Sequence, residues 1–196
     1  MKKFSPDITK GEINNLPLIQ FEGKIHLIDN EDKVVSACEY LIQNDILGFD
    51  TETRPSFKKG KSFFLSLMQF STQEECYLFR INKLGIPKEL RQLLEDERVK
   101  KVGFDLNSDF HQIRKRVRDI NLKNFVDLKN LAKELGIKDV SLRKLTAIVL
   151  GHRLSKRQRL SNWEQDELKQ SQKVYAATDA WITLILYKKL IEIEKD

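Results

Sequence analysis

Cysteine is scarce. Cys38 and Cys76 are the only two in 196 residues, too few for a disulfide framework or a thiolate zinc site, and each lies in a mostly apolar segment as a reduced, buried thiol. Histidine is as thin, and neither His26 nor His111 has a partner at metal-ligand spacing, so both read as structural or exposed. No apolar run approaches membrane-spanning length, and Met1-Lys2-Lys3-Phe4-Ser5-Pro6-Asp7 has no apolar stretch behind its charges. Neither a transmembrane helix nor a secretory leader is therefore expected, and the expected setting is cytoplasmic, with no membrane partner. There is no internal repeat and no low-complexity tract.

What remains is a charged globular sequence. Hydrophobic residues make up 40% and charged residues 33%, with a net charge of +6, which fits a folded domain with a heavily charged exterior. The length suits one well-buried core. Residues 1–20 are polar and mixed, with Pro6, Gly11 and Pro17, and read as a peripheral N-terminal arm to a domain over 21–196. The cationic excess suits a polyanionic partner, although it also serves solubility.

Strand patterns cover Lys24–Ile28, Ile46–Glu52, Phe63–Phe70, Cys76–Phe79, Val99–Phe104 and the short Phe125–Val126. Helices are expected after an Asp29 or Asn30 cap, with Val34, Val35, Cys38, Leu41 and Ile42 on one face, and from near Pro87. Others are expected over Ser108–Arg118, through Leu128, Leu131 and Leu135 to a stop at Gly136, over Ser141–Leu150, and from Trp163 to Glu194 with an interruption near Ser171. Successive strands followed by strands alternating with helices predict an α/β fold, a central mixed β-sheet flanked by α-helices.

Four acidic residues stand out against this frame. Asp50 and Glu52 end the apolar run Ile46-Leu47-Gly48-Phe49, and in a strand both leave the same face. Asp109 opens a basic helical stretch, and Asp179 lies one turn beyond Tyr175 in an apolar helix. Carboxylates converging in a low-dielectric setting repel unless a cation neutralises them, and Mg²⁺ or Mn²⁺ suits carboxylate oxygen. The plainer readings are a loop carboxylate for Asp50, a helix cap for Asp109 and a core aromatic for Tyr175.

The segments Phe49-Asp50-Thr51-Glu52, Val102-Gly103-Phe104 running on to Asn107-Ser108-Asp109, and Tyr175-Ala176-Ala177-Thr178-Asp179-Ala180 resemble, in this order, the three motifs of the DEDD superfamily of 3′→5′ exonucleases. That resemblance spans roughly residues 24–192 and implies the DnaQ-like, ribonuclease H-like fold. Tyr175 stands four before Asp179, and Val174 occupies the place of the histidine variant, so the chain is similar to the DEDDy type. Within it the nearest likeness is to the Werner syndrome exonuclease domain, through Glu75–Phe79, Leu122–Asp127, Ser161-Asn162-Trp163 and Val174–Ala180, with ribonuclease D next.

The resemblance implies that Asp50, Glu52, Asp109 and Asp179 bind two divalent ions, Mg²⁺ or Mn²⁺, about 4 Å apart, and that Tyr175 orients the attacking water. It implies release of nucleoside 5′-monophosphates from a nucleic-acid 3′ end, DNA ahead of RNA. The alternatives are a ribonuclease D-like exoribonuclease and a non-catalytic nucleic-acid-binding module on the same fold. Arg153, Lys156, Arg157 and Arg159 crowd a loop before Ser161-Asn162-Trp163 and are expected to grip phosphates, with Arg54 guiding the strand and Phe57 stacking on a base. Trp163 is also a candidate contact, its plainer role being to pack against the last helix.

Overall fold

The computed structural model describes residues 4–56, 58, 60, 63–138 and 140–194. Its first half runs α1 (Lys10–Asn15), β1 (Lys24–Ile28), α2 (Glu31–Leu41), β2 (Ile46–Thr53), β3 (Leu65–Ser71), β4 (Glu75–Phe79) and α3 (Ile81–Leu84). The second half runs α4 (Lys88–Glu95), β5 (Lys100–Gly103), α5 (Asn107–Arg116), β6 (Phe125–Asp127), α6 (Leu128–Glu134), α7 (Leu142–Leu150) and α8 (Gln170–Glu194). The strands form one mixed sheet in the order β1-β4-β3-β2-β5-β6. Only β3 runs against the rest, pairing antiparallel with β2 and β4, while β1 with β4 and β2 with β5 pair in parallel, as do β5 and β6.

Alternation along β2 sets the layers. Leu47 and Phe49 are fully buried on one face, in a core shared with Val34, Ala37, Cys38 and Leu41 of α2 and with Leu90, Leu93 and Leu94 of α4. Gly48 faces α8 on the other side, so closely that a Cβ there would lie 2.0 Å from the Ala180 carbonyl oxygen. Side chains two apart share a face, so Asp50 and Glu52 emerge beside α8 as well. Thr183 pins the crossing: its hydroxyl accepts from Phe49 N at 3.3 Å and donates to Val102 O at 2.7 Å.

Local chemistry accounts for the helix ends. Asn30 accepts from Lys33 N and Ser141 from Lys144 N, as N-caps do, while Gly151 closes α7 in the left-handed conformation. Sequence and structure part at Trp163. The stretch 163–169 is a chain of turns, and α8 starts at Gln170 and passes Ser171 without a break. The turns persist because buried Trp163 and Leu168 are anchored from outside, by Arg80 donating to Gln165 O at 2.6 Å and Asp166 O at 3.1 Å. Val35, expected on the buried face of α2, is exposed, and the one-turn α3 was not anticipated. No helix among the described residues is long and apolar enough to cross a membrane.

The arm lies against the body. Thr9 and Glu12 form a reciprocal capping box at α1, and Ile13 is buried. Leu18 bridges to Arg153 in parallel, with Ile19 N donating to Arg153 O at 3.1 Å and Arg153 N to Pro17 O at 2.9 Å.

Candidate active site

Asp50, Glu52 and Asp179 each place a carboxylate oxygen within 4.8 Å of the others. Two strand positions of one face supply the first pair, and the docking of α8 onto bare Gly48 supplies the third. Asp109 sits in the first turn of α5 and is fixed by the Thr51 hydroxyl, which donates to it from the other face of β2. The turn before α5 is held by Asp127, whose two carboxylate oxygens accept from Asp105 N at 2.9 Å and Leu106 N at 3.0 Å. Asp105 adopts a positive φ of 58°, a conformation that an aspartate tolerates better than most residues.

Burial dominates the electrostatics here. Desolvation, and then the charges of Asp179 and Asp109, push Asp50 well above the usual carboxyl range. Glu52 is raised by desolvation and by Asp50, Asp179 and Asp109, with Arg159 opposing. Desolvation lifts Asp109 to about 6, against the hydrogen bond from Thr51, and lifts Asp179 to about 7. Tyr175 is also raised, by burial and then by Asp179 and Glu52, so its phenol keeps its proton and faces the Asp179 carboxyl as a donor. These raised values mark carboxylates that are costly to ionise together. A divalent ion would remove that cost, and the all-oxygen donor set suits Mg²⁺ or Mn²⁺.

Two cavities lie along the loop that carries the basic residues. One of about 330 Å³ is lined by Arg54, Pro55, Ser56, Lys58, Phe63, Leu160 and Asn162. Arg54 is already engaged there, its guanidinium 4.7 Å from the Phe63 ring centre and 3.3 Å from Glu164. Leu160, 65% exposed, offers an apolar surface that nothing in the sequence singled out. The other cavity, about 360 Å³, has Arg153 and Arg157 in its wall and Tyr175 and Asp179 at its edge.

The expected nucleic-acid contacts divide. Lys156, Arg157 and Arg159 are exposed, and Arg159 acts on Glu52. Arg153 is committed to the arm, its Nε donating to Leu16 O at 2.9 Å. Trp163 is a correction: it is 0% exposed, packed among Ala176, Ala177 and Ala180 with its ring 6.2 Å from that of Tyr175, so it has no face for a base. It supports Tyr175 from beneath. Phe57 lies outside the described residues.

Sequence reasoning missed three supporting residues, Thr51, Asp127 and Gly48, and one buried amide next to Asp50, Gln69. Gln69 pairs with Asp50 across β2 and β3 and is fully buried, with neither end of its amide hydrogen-bonded among the described residues. Thr51 and Asp127 lie inside quoted segments, but their partners are remote in sequence.

Comparison with known proteins agrees with this geometry. A family profile described as 3′-5′ exonuclease matches residues 25–193. The chain is 37% identical over 191 residues to the bifunctional 3′-5′ exonuclease/ATP-dependent helicase WRN of Mus musculus, covering 90% of this chain and 13% of that protein. It is 31% identical over 206 residues to a 3′-5′ exonuclease of Arabidopsis thaliana, covering 95% of this chain and 70% of that one. Among solved structures, the Aedes aegypti Nibbler EXO domain superposes with a TM-score of 0.78 at 25% identity, covering 91% and 94% of the two chains. Escherichia coli RNase D gives 0.76 at 22%, covering 88% of this chain and 45% of that one, and shares the ribonuclease H-like fold.

Proposed function

The chain belongs to the 3′-5′ exonuclease family, and on that premise we propose that it hydrolyses the terminal phosphodiester at a nucleic-acid 3′ end with two divalent ions, Mg²⁺ or Mn²⁺. The observation that carries the reading is the meeting of Asp50, Glu52 and Asp179 from β2 and α8, with carboxylate oxygens within 4.8 Å. Three half-buried acids at that separation cost free energy unless a cation neutralises them.

Asp50, Glu52 and Asp179 would hold the ions, with Asp109 beside them on Thr51. When bound, such ions acidify a water and offset the negative charge that gathers on the leaving oxygen. With Asp179 engaged by an ion, the Tyr175 phenol, kept protonated, would turn its single hydrogen from that carboxylate to the attacking water and orient it towards phosphorus. The new P–O bond forms as the bond to the 3′-oxygen breaks, and a nucleoside 5′-monophosphate leaves. Arg159, next to Glu52, meets the scissile phosphate, and the cavity bounded by Phe63 and Leu160 receives the terminal base by apolar contact.

We place DNA ahead of RNA. The support is the 37% identity to the WRN protein together with the motif surroundings that resemble its exonuclease domain. The RNA reading is favoured by solved neighbours whose titles name RNA, among them a Trypanosoma brucei RNase D bound to RNA U12 at 18% identity. Digestion of 5′-labelled single-stranded DNA, recessed duplex DNA and RNA, with Mn²⁺ or EDTA, decides both questions. A ladder shortening from the 3′ end only with metal, and lost in an Asp50→Ala/Glu52→Ala variant, is expected; release that survives EDTA or the double substitution would refute the reading.

A further inference from the structure

We propose that Gln69 is a positioning residue for the ion site: its buried carboxamide donates to the Asp50 carboxylate when that carboxylate engages a divalent ion, and so fixes the plane in which the carboxylate binds. The proposal rests on the exonuclease reading and adds to it a residue outside the acidic set.

Three observations converge on this glutamine. The first is its place in the sheet. Gln69 stands directly opposite Asp50 in the antiparallel pair of β2 and β3, and side chains so paired leave the same face with Cβ atoms about 5 Å apart. That face lies beneath α8, because Leu67, two residues earlier on β3, packs with Ala176, Ala177 and Ala180. On the other side of β2, the pairing with β5 runs only as far as Gly48. Asp50 therefore has a strand partner on one side alone, and that partner is Gln69.

The second is an unmet need. Gln69 is 0% exposed, and neither its Nε2 nor its Oε1 has a hydrogen-bond partner among the described residues. Its neighbours on this face are Leu78 across on β4, Leu67 and Ser71 along β3, and Asp50. The Ser71 hydroxyl already gives its hydrogen to Thr72 O at 2.8 Å, and Asp50 is the one acid of the four. A buried amide left unpaired costs free energy that a leucine of similar volume would not. What the fold gains by keeping it belongs to another state, in which the amide is paired. The third observation is the treatment of the other acids. Thr51 donates to Asp109, and the Tyr175 phenol faces Asp179 as a donor. Asp50 has no such side-chain donor among the described residues. A carboxylate that holds a metal ion is ionised and accepts only, with lone pairs to spare for a donor beside it. Such a donor orients the ligand, and its loss costs about 10- to 100-fold in metal affinity.

The test sets metal affinity against stability. Mn²⁺ is titrated calorimetrically into wild type, Gln69→Leu and Leu78→Met, and the metal-free proteins are unfolded in denaturant. Leu78→Met alters the packing around Gln69 at nearly constant volume and touches no polar group. Gln69→Leu should bind Mn²⁺ about tenfold more weakly while unfolding at the same or a higher denaturant concentration, and Leu78→Met should keep the wild-type affinity. Affinity and stability moving apart is a signature that a merely structural glutamine does not give. If Gln69→Leu misfolds, Gln69→Met, with an unbranched side chain of similar length, carries the same test. Wild-type Mn²⁺ affinity in the Gln69 variants overturns the assignment, and so does an equal weakening in Leu78→Met, which would trace the effect to packing. A loss of stability with affinity intact also overturns it, since the amide would then be paired by a buried water or another group in the metal-free protein. A wild type that neither binds Mn²⁺ nor shortens a 3′ end overturns the exonuclease reading itself.

Discussion

Chelating divalent ions and carrying the protein from pH 5 to pH 8 should lower its thermal midpoint. Asp179 titrates at about 7 and Asp109 at about 6 in the fold, against 3.8 for a free aspartate. A carboxyl raised by folding holds its proton where the unfolded chain has released it. The stability this represents is complete below about pH 4 and drains away as pH climbs through the folded values. Integrated from pH 5 to 8, the two groups lose about 4 kcal/mol between them. Asp50 and Glu52 are shifted in the same direction and add to the loss. Asp96, held down at about 2 by Arg98, is ionised in both states over this interval and contributes nothing. For a chain of this size the loss amounts to a midpoint lower by about 12 °C. Mn²⁺ at about a thousand times its dissociation constant returns about 4 kcal/mol and does so best at pH 8, where protons no longer compete. Differential scanning fluorimetry at four pH values, with EDTA or MnCl₂, reads both arms, and Asp179→Asn should flatten the metal-free curve. A metal-free midpoint that holds level or rises towards pH 8 would refute the argument, as would Mn²⁺ leaving the pH 8 midpoint unmoved.

Other outcomes follow from single positions. Tyr175→Phe should cut kcat by about 10- to 100-fold with Mn²⁺ affinity intact by calorimetry; a weakened affinity would make the tyrosine a support for the metal site instead. Gly48→Ala would set a methyl 2.0 Å from the Ala180 carbonyl oxygen, prising α8 and Asp179 off β2. Its expected signature is weaker Mn²⁺ binding with a lower midpoint, and wild-type values for both would show that the crossing tolerates a side chain. Gln69→Leu removes a buried amide without partners and should be neutral or stabilising by about 1 kcal/mol in denaturant unfolding. A clear loss of stability would show that the amide acquires a partner in solution.

The layers were legible because each rests on a local pattern. Alternation from Ile46 to Glu52 gave the face of the carboxylates, Asn30 and Ser141 gave helix starts, and Gly136 gave a stop. The misreading at Trp163 has a physical source. Apolar spacing from Trp163 through Leu168 mimics a helix, but the turns are imposed by Arg80, whose partners are the backbone carbonyls of Gln165 and Asp166. Backbone acceptors leave no mark in a sequence. The same holds for Lys101, buried in the sheet with its ammonium on Asp96 O at 2.7 Å, and for Arg153 on the arm. At the candidate site Asp50, Glu52 and Asp179 were marked by strand alternation and motif order, and these three the structure brings together. The residues that hold them, Thr51 on Asp109 and Asp127 on the turn before α5, act across distances that no local window spans.

The division of the acids between β2 and α8 has a consequence for synthesis. A chain emerging from the ribosome possesses Asp50, Glu52 and Asp109 while α8 is still untranslated, and those three alone cannot complete the triangle of carboxylates. The carboxylate triangle therefore closes late and all at once, when the helix bearing Tyr175 and Asp179 settles onto Gly48.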